Sequence, residues 1–429
     1  MLLSVEPSMV AGRVRAPSSK SAMQRAIACA TMASGVSTLH NPSWCNDSIA
    51  AIAVASALGA RIERLSDRLI IDGGRLCERT EPISVSCGES GLALRMFSAI
   101  ASLLSVPVEL QAEGSLRYRP VGMIANPLES LGVSCHSASG LPPVSVCGPL
   151  RAGNATVDGS ESSQFLTGLL LALPMARPAL VGEGSRLSIT RLASRGYIDL
   201  SLDVMRAFGA EVERDASYSE FTIGCKPYEA RQYEVEGDWS GAAFLLVAGA
   251  IAASGSGLLV EGLSAQSSQP DRAIIDALMM AGADVGSPPG AYRVKAGPLH
   301  GFSFDASDCP DLFPPLVALA SRCDGITRLL GADRLRTKES DRARALSEEF
   351  AALGLKVIVD GNEMIIEGRT DRPSGRLSGG TVSARGDHRI AMAAAVAALA
   401  ADGAVHIEGA ESVAKSWPGF FDDLASICS

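Results

Sequence analysis

The stretch ALGLKVIVDGNEMIIEG, Ala352 to Gly368, carries the pattern that decides the fold. An amphipathic run ends at Gly354, where a helix can close in the left-handed conformation that only a residue without a Cβ adopts cheaply. The alternation in KVIVD then reads as a strand with one buried face, followed by a turn and a second strand. Four other stretches repeat it: Ala57 to Gly73, Ser130 to Gly148, Ala207 to Cys225 and Met280 to Gly297. Their glycines, at 59, 132, 209 and 282, lead to Gly354 at intervals of 72 to 77 residues. A repeat of that period means stacked supersecondary units.

A second motif precedes each of these. It is a helix of small apolar residues whose first turn is polar, and it occurs six times, at starts 70 to 78 residues apart. The copies begin at Ser18 (SSKSAMQRAIACATMA), Gly88 (GESGLALRMFSAIASLL), Ser162 (SSQFLTGLLLALPMA), Asp238 (DWSGAAFLLVAGAIAA), Asp308 (DCPDLFPPLVALAS) and Gly386 (GDHRIAMAAAVAALAA). A helix apolar on nearly every face must be buried on nearly every side. Together the motifs predict an α/β protein of six βαβαββ-like units, three per domain. The last outer helix, FFDDLASIC, has no strand after it, and the N-terminal LLSVEP is expected to supply the missing one. The chain then crosses between domains near Pro17 to Ser19 and near Glu236 to Asp238. Residues 1–17 with 237–429 form one domain, and 18–236 the other.

Composition narrows the function. The chain has 429 residues, 47% hydrophobic and 20% charged, with a net charge of -9 and only 5% aromatics. That balance disfavours nucleic acid and anionic membrane surfaces. The apolar runs are shorter than the roughly 18 residues a membrane span needs, and the N-terminus lacks a signal-peptide core. The ten cysteines form no C-x-x-C pair and have no zinc-type spacing, so reduced thiols in a cytoplasmic protein are expected. No phosphate-loop motif is present, and no G-x-G-x-x-G follows the first strand; ATP, NAD and metal cofactors are not expected.

The first turns of the small-residue helices are the natural anion sites, because unpaired N–H groups there carry partial positive charge. Lys20, Ser21 and Arg25 lie on the first, with Ser21 and Arg25 four apart on one face. Ser162, Ser163 and Gln164 head the third, Asp311 opens the fifth, and Arg389 follows Asp387 and His388 on the sixth. Cations also gather in the connections: Arg119, Arg195, Lys338, Arg342 and Lys415. Lys338 and Arg342, four apart, are read as one helix start with Glu339 beside them. In an acidic chain, this concentration points to a substrate with more than one anionic group.

These motifs, in order along nearly the whole chain, resemble the 5-enolpyruvylshikimate-3-phosphate synthase family: PSSKSAMQRA, GESGLALR, RYRPVG, SSQFLTGLLLALP, SRGYIDLSLDVMRAFG, CPDLFPPLVALA, RTKESDRA, GDHRIAMA and AKSWPGFF. The resemblance implies two inside-out α/β barrels of three βαβαββ units each, with the active site in the cleft between them. It implies a cofactor-free monomer that moves the enolpyruvyl group of phosphoenolpyruvate to 3-phosphoshikimate. Lys20 would touch both substrates. Ser21, Arg25, Ser162, Ser163, Ser194, Tyr197, Asp311 and Lys338 would hold 3-phosphoshikimate, with Gln164 between the two ligands. Gly91, Arg119, Arg342, Arg389 and Lys415 would bind phosphoenolpyruvate. Asp311 would act as base and Glu339 as acid. Glu89, Ser115 and Arg334 depart from the usual pattern, which has Asn, Arg and Asn there. The rival within the same fold transfers enolpyruvyl to UDP-N-acetylglucosamine, but those enzymes usually place a reactive cysteine where this chain has Gly114. An inactive relative serving as a binding module is the other alternative.

Overall fold

The computed structural model describes residues 1–178, 184–368 and 377–429. The chain divides into two compact units, Lys20–Val235 and Met1–Ser19 with Glu236–Ser429. Each has a core of its own. Among the described residues, no helix is long and apolar enough to cross a membrane.

The predicted repeat is visible in the strand pairing. In the Lys20–Val235 unit, Ile83–Ser86 pairs parallel with Val108–Gln111. That strand is antiparallel to Leu141–Cys147, which is antiparallel to Ser134–Ala138. The sheet through Asn154–Asp158, Ser185–Thr190, Glu220–Ile223 and Val212–Arg214 has the same order. So does the sheet through Gln232–Glu234, Gly35–His40, Arg68–Gly73 and Arg61–Arg64. Here the leading strand, Gln232–Glu234, comes from the far end of the unit, which the sequence did not announce.

The other unit repeats the scheme with Val10–Arg15, Ala253–Glu261, Ala291–Lys295 and Asp284–Gly286, and again with Ser303–Asp305, Ile326–Leu330, Glu363–Glu367 and Lys356–Asp360. Among the described residues its last sheet has three strands: Gly380–Ser383, Val405–Glu408 and, antiparallel to the latter, Leu2–Val5. The N-terminal strand therefore sits where the last repeat needed one.

The glycines at 59, 132, 209, 282 and 354 all have positive φ, as a left-handed helix end requires. Six small-residue helices form: Lys20–Met32, Gly91–Ala101, Gln164–Ala172, Trp239–Ala252, Phe313–Ala320 and His388–Ala398. Every residue of the Trp239 and His388 helices is buried. With no face left for solvent, such helices are held by close packing of Ala, Gly and Leu rather than by amphipathic docking. The fifth starts later than its motif: Pro310–Leu312 is a 3-10 turn, and the α-helix follows from Phe313. Lys338 also departs from expectation. It lies in the irregular segment before the Arg342–Ala352 helix, whose cap is Asp341, because the Asp341 side chain accepts the Arg344 N–H and sets the helix start there.

Candidate active site

In the Lys20–Val235 unit, four helix starts are tied into a closed ring of side-chain hydrogen bonds. Ser90, which caps the Gly91 helix, donates to Gln24 of the Lys20 helix at 3.2 Å. Arg95 of the Gly91 helix donates to Gln164 Oε1 at 2.8 Å. Thr167, one turn further along the Gln164 helix, meets Ser201 at 3.0 Å. Ser201 lies on the Arg195–Ala207 helix and accepts from Arg25 Nε at 2.8 Å, which returns to the Lys20 helix. The ring brings Lys20, Ser21, Arg25, Gly91, Gln164 and Tyr197 onto neighbouring turns.

Arg25 is the most telling member. It is 2% exposed, and its acceptors are the Ser201 hydroxyl and the carbonyls of Ser21 (2.8 Å) and Tyr197 (3.2 Å). None is charged. Burial lowers its pKa to about 10, the mark of a desolvated cation with no counter-charge among the described residues. The Tyr197 ring lies 5.9 Å from its guanidinium carbon. Lys20 is held at 2.8 Å by Asp47, a buried residue on the first turn of the Asn46–Ala57 helix. Ser163 and Ser194 stand at the N-cap positions of their helices, and both are buried. Ser194 adopts a left-handed conformation (φ 57°, ψ 54°), uncommon for a non-glycine residue and worth roughly 1 kcal/mol of strain. Ser162 accepts the Gln164 N–H at 3.2 Å. Arg195, in contrast, is exposed and stacks on Tyr218.

Gly91 begins its helix where a Cβ would lie 2.9 Å from Arg95 Nη1 and 3.0 Å from Arg119 Nη1. Two guanidinium groups thus close over the glycine. Glu89, just upstream, accepts hydrogen bonds from the Ser115 N–H (3.4 Å) and hydroxyl (3.2 Å). Two of the departures from the family pattern are therefore partners, and Gly114 lies between them, where a Cβ would collide with the Glu89 carboxylate.

The other unit gathers its predicted residues around Arg342, which is fully buried. Its Nη1 reaches Asp311 at 2.9 Å, Nη2 reaches Glu339 at 2.7 Å, and Nε reaches Asp387 at 2.9 Å. Asp387 also accepts from the Ser340 hydroxyl and caps the His388 helix through the Arg389 N–H. Arg389 Nη2 lies 3.0 Å from Asp311, and Lys338 Nζ is 3.8 Å from it. Lys415, at the end of the Ala410–Lys415 turn, stands 4.0 Å from Glu339.

The charges follow from this packing. Burial by itself raises the Asp311 carboxyl, but Arg389, Lys338 and Arg342 together outweigh it and hold the group far below the carboxylate range. Burial works against the Arg342 charge too, yet Asp387, Glu339 and Asp311 keep it more firmly protonated than a free guanidinium. Lys338 is lowered to about 8, chiefly by burial, with Asp311 opposing. The acceptor of Lys20 and the link from Arg95 were not singled out from sequence. A lone arginine among the apolar residues of the Gly91 helix was the available signal for the second. Nothing local marks Asp47.

Repeated α/β units whose helix starts collect buried cations, hydroxyls and paired carboxylates define an enzyme class that handles small, multiply charged anions. The profile of the family described as EPSP synthase (3-phosphoshikimate 1-carboxyvinyltransferase) matches residues 5–424. A protein named 3-phosphoshikimate 1-carboxyvinyltransferase from Clostridium kluyveri is 37% identical, with 99% of this chain and 97% of that one aligned. A protein of the same name from Aeropyrum pernix is 38% identical over 99% of this chain and 95% of its own. Among solved structures, EPSP synthase from Acinetobacter baumannii superposes with a TM-score of 0.81 at 26% identity, covering 100% of this chain and 98% of that one. The chain belongs to the EPSP synthase family, a family of transferases. The names of these relatives favour the shikimate branch over the sugar-nucleotide reading.

Proposed function

We propose that this protein transfers the enolpyruvyl group of phosphoenolpyruvate to the 5-hydroxyl of 3-phosphoshikimate, releasing phosphate. The reaction takes place in a cleft between two domains, residues 18–236 and residues 1–17 with 237–429, each an inside-out barrel of three repeats. It works as a monomer in the cytoplasm, as the family resemblance implies.

The observation that carries this reading is the sharing of Arg342 between Asp311 and Glu339. One guanidinium holds the two carboxyls that an addition–elimination needs as base and acid. Glu339 delivers a proton to the methylene carbon of phosphoenolpyruvate, leaving a cation at the carbon that bears the phosphate ester. The 5-hydroxyl oxygen bonds to that carbon while Asp311 takes the hydroxyl proton. The C–O bond to phosphate then breaks, phosphate leaves with the proton held by Asp311, and the Glu339 carboxylate takes back a methyl proton to restore the double bond. Arg119, Arg342, Arg389, Lys415 and Lys20 offset the charge of the departing phosphate. As phosphoenolpyruvate engages Arg342 and Arg389, their hold on Asp311 weakens, which raises that carboxyl toward a range where it can take a proton. Ser21, Arg25, Ser162, Ser163, Gln164, Ser194, Tyr197 and Lys338 hold 3-phosphoshikimate, and the uncompensated charge of Arg25 is answered by one of its anionic groups. Gly91 leaves room for the smaller ligand.

The test is direct. The purified protein is mixed with phosphoenolpyruvate and either 3-phosphoshikimate or UDP-N-acetylglucosamine, and phosphate is followed. Release with the first alcohol alone is expected. Release with the sugar nucleotide, or with neither, would sink the proposal.

A further inference from the structure

Arg95 is the one charged residue in the Gly91–Ala101 helix, and its side chain is buried, 3% exposed. Its two terminal nitrogens are committed in different directions. Nη1 donates to Gln164 Oε1 at 2.8 Å and Nη2 to the Pro120 carbonyl at 2.9 Å. It also forms one wall of the space over Gly91, opposite Arg119.

We propose that Arg95 is a positioning residue that sets the Gln164 amide and the root of Arg119 for phosphoenolpyruvate; this rests on the function proposed above. A glutamine amide has one accepting end and one donating end. With its oxygen bound to a cation, the NH2 group must face away from Arg95, so Gln164 presents donors only. Flipping the amide would set donor against donor beside a buried charge. The second bond pins the carbonyl immediately after Arg119, and the ring of Pro120 already restricts the backbone there. Arg95 therefore fixes two groups on different elements without itself being needed as a ligand. Lysine cannot replace it, since a single ammonium on a flexible stem does not span two acceptors in a planar fork.

The experiment compares wild type, Arg95→Lys, Gln164→Ala and the double variant. For Arg95→Lys, KM for phosphoenolpyruvate is expected to rise about tenfold or more, with a smaller change in the dissociation constant of 3-phosphoshikimate and an unchanged far-UV spectrum. In the Gln164→Ala background, the same substitution should cost less than half as much on a logarithmic scale. An unchanged KM, or a full loss persisting in that background, overturns the proposal. A crystal structure of Arg95→Lys gives a readout independent of activity: the Gln164 amide turned or the Pro120 carbonyl displaced is expected, and both in their wild-type positions refute it. Wild-type protein that releases no phosphate would refute the function, while the crystal structure would still decide the role of Arg95.

Discussion

The two units treat their charges in opposite ways. In the Lys20–Val235 unit, helices are headed by serines (Ser90, Ser163, Ser194), and Arg25 is bound by neutral acceptors. In the other, Asp238, Asp341 and Asp387 cap the Trp239, Arg342 and His388 helices, and Arg342 touches three carboxylates. In the first unit the charge of Arg25 is held only by neutral groups, although Lys20 is already met by Asp47. The second has neutralised its cations with its own acids, so a ligand there must displace one partner to gain another. Recognition suits the first arrangement, because the buried charge gains from being met. Proton transfer suits the second, because a carboxyl released from its cation changes its affinity for a proton.

Substitutions can break or sharpen this contrast. Glu339→Gln should cut turnover by about a thousandfold or more while 3-phosphoshikimate binding changes by less than about threefold; phosphate release and calorimetric titration check this, and lost binding with intact turnover per complex would contradict it. Arg342→Leu removes the cation shared by three buried or nearly buried carboxylates, of which Asp311 keeps Arg389 and Glu339 keeps Lys415, and should cost about 3–5 kcal/mol of stability. Arg25→Leu removes a cation with no counter-charge among the described residues and should cost less than half of that, while weakening 3-phosphoshikimate binding far more than tenfold. Equal losses in thermal or urea unfolding would erase the distinction between the units.

The effect of pH is smaller. Lys338, lowered to about 8 by burial, is cationic below that pH and neutral above it. Affinity for 3-phosphoshikimate should therefore weaken as pH rises through about 8, by up to tenfold per unit, and Lys338→Met should flatten that limb. Smallest of all is Glu89→Ala. Its bonds to Ser115 are exposed, so KM for phosphoenolpyruvate is expected to move by less than about threefold.

Much of the architecture was legible because it is written in short-range signals. A glycine closing a helix and a strand with one buried face need no knowledge of distant residues, and Gly354 with KVIVD displays both. The candidate residues on first turns were legible for the same reason: Ser21 and Arg25 are four apart and meet, with Arg25 Nη1 donating to the Ser21 carbonyl. Long-range partners were not. Asp47 finds Lys20 across 27 residues, and Arg95 finds Gln164 across 69. No periodicity records such pairings, since they are set by which helices the fold makes neighbours. The misplacement of Lys338 has a local cause. Spacing alone could not distinguish a helix beginning at 338 from one capped by Asp341.

The strand Leu2–Val5 belongs to a sheet whose other members are made last. Ser4 bonds to His406, 402 residues away. At roughly 5–20 residues per second, the ribosome delivers that partner about 20 to 80 seconds after the strand itself. Throughout that interval Leu2–Val5 lacks its partner strand, whereas Lys20–Val235 has all its own strands in hand as soon as Gln232–Glu234 emerges. Translation thus imposes an order of completion: Lys20–Val235 finishes first, and Leu2–Val5 waits for Val405–Glu408.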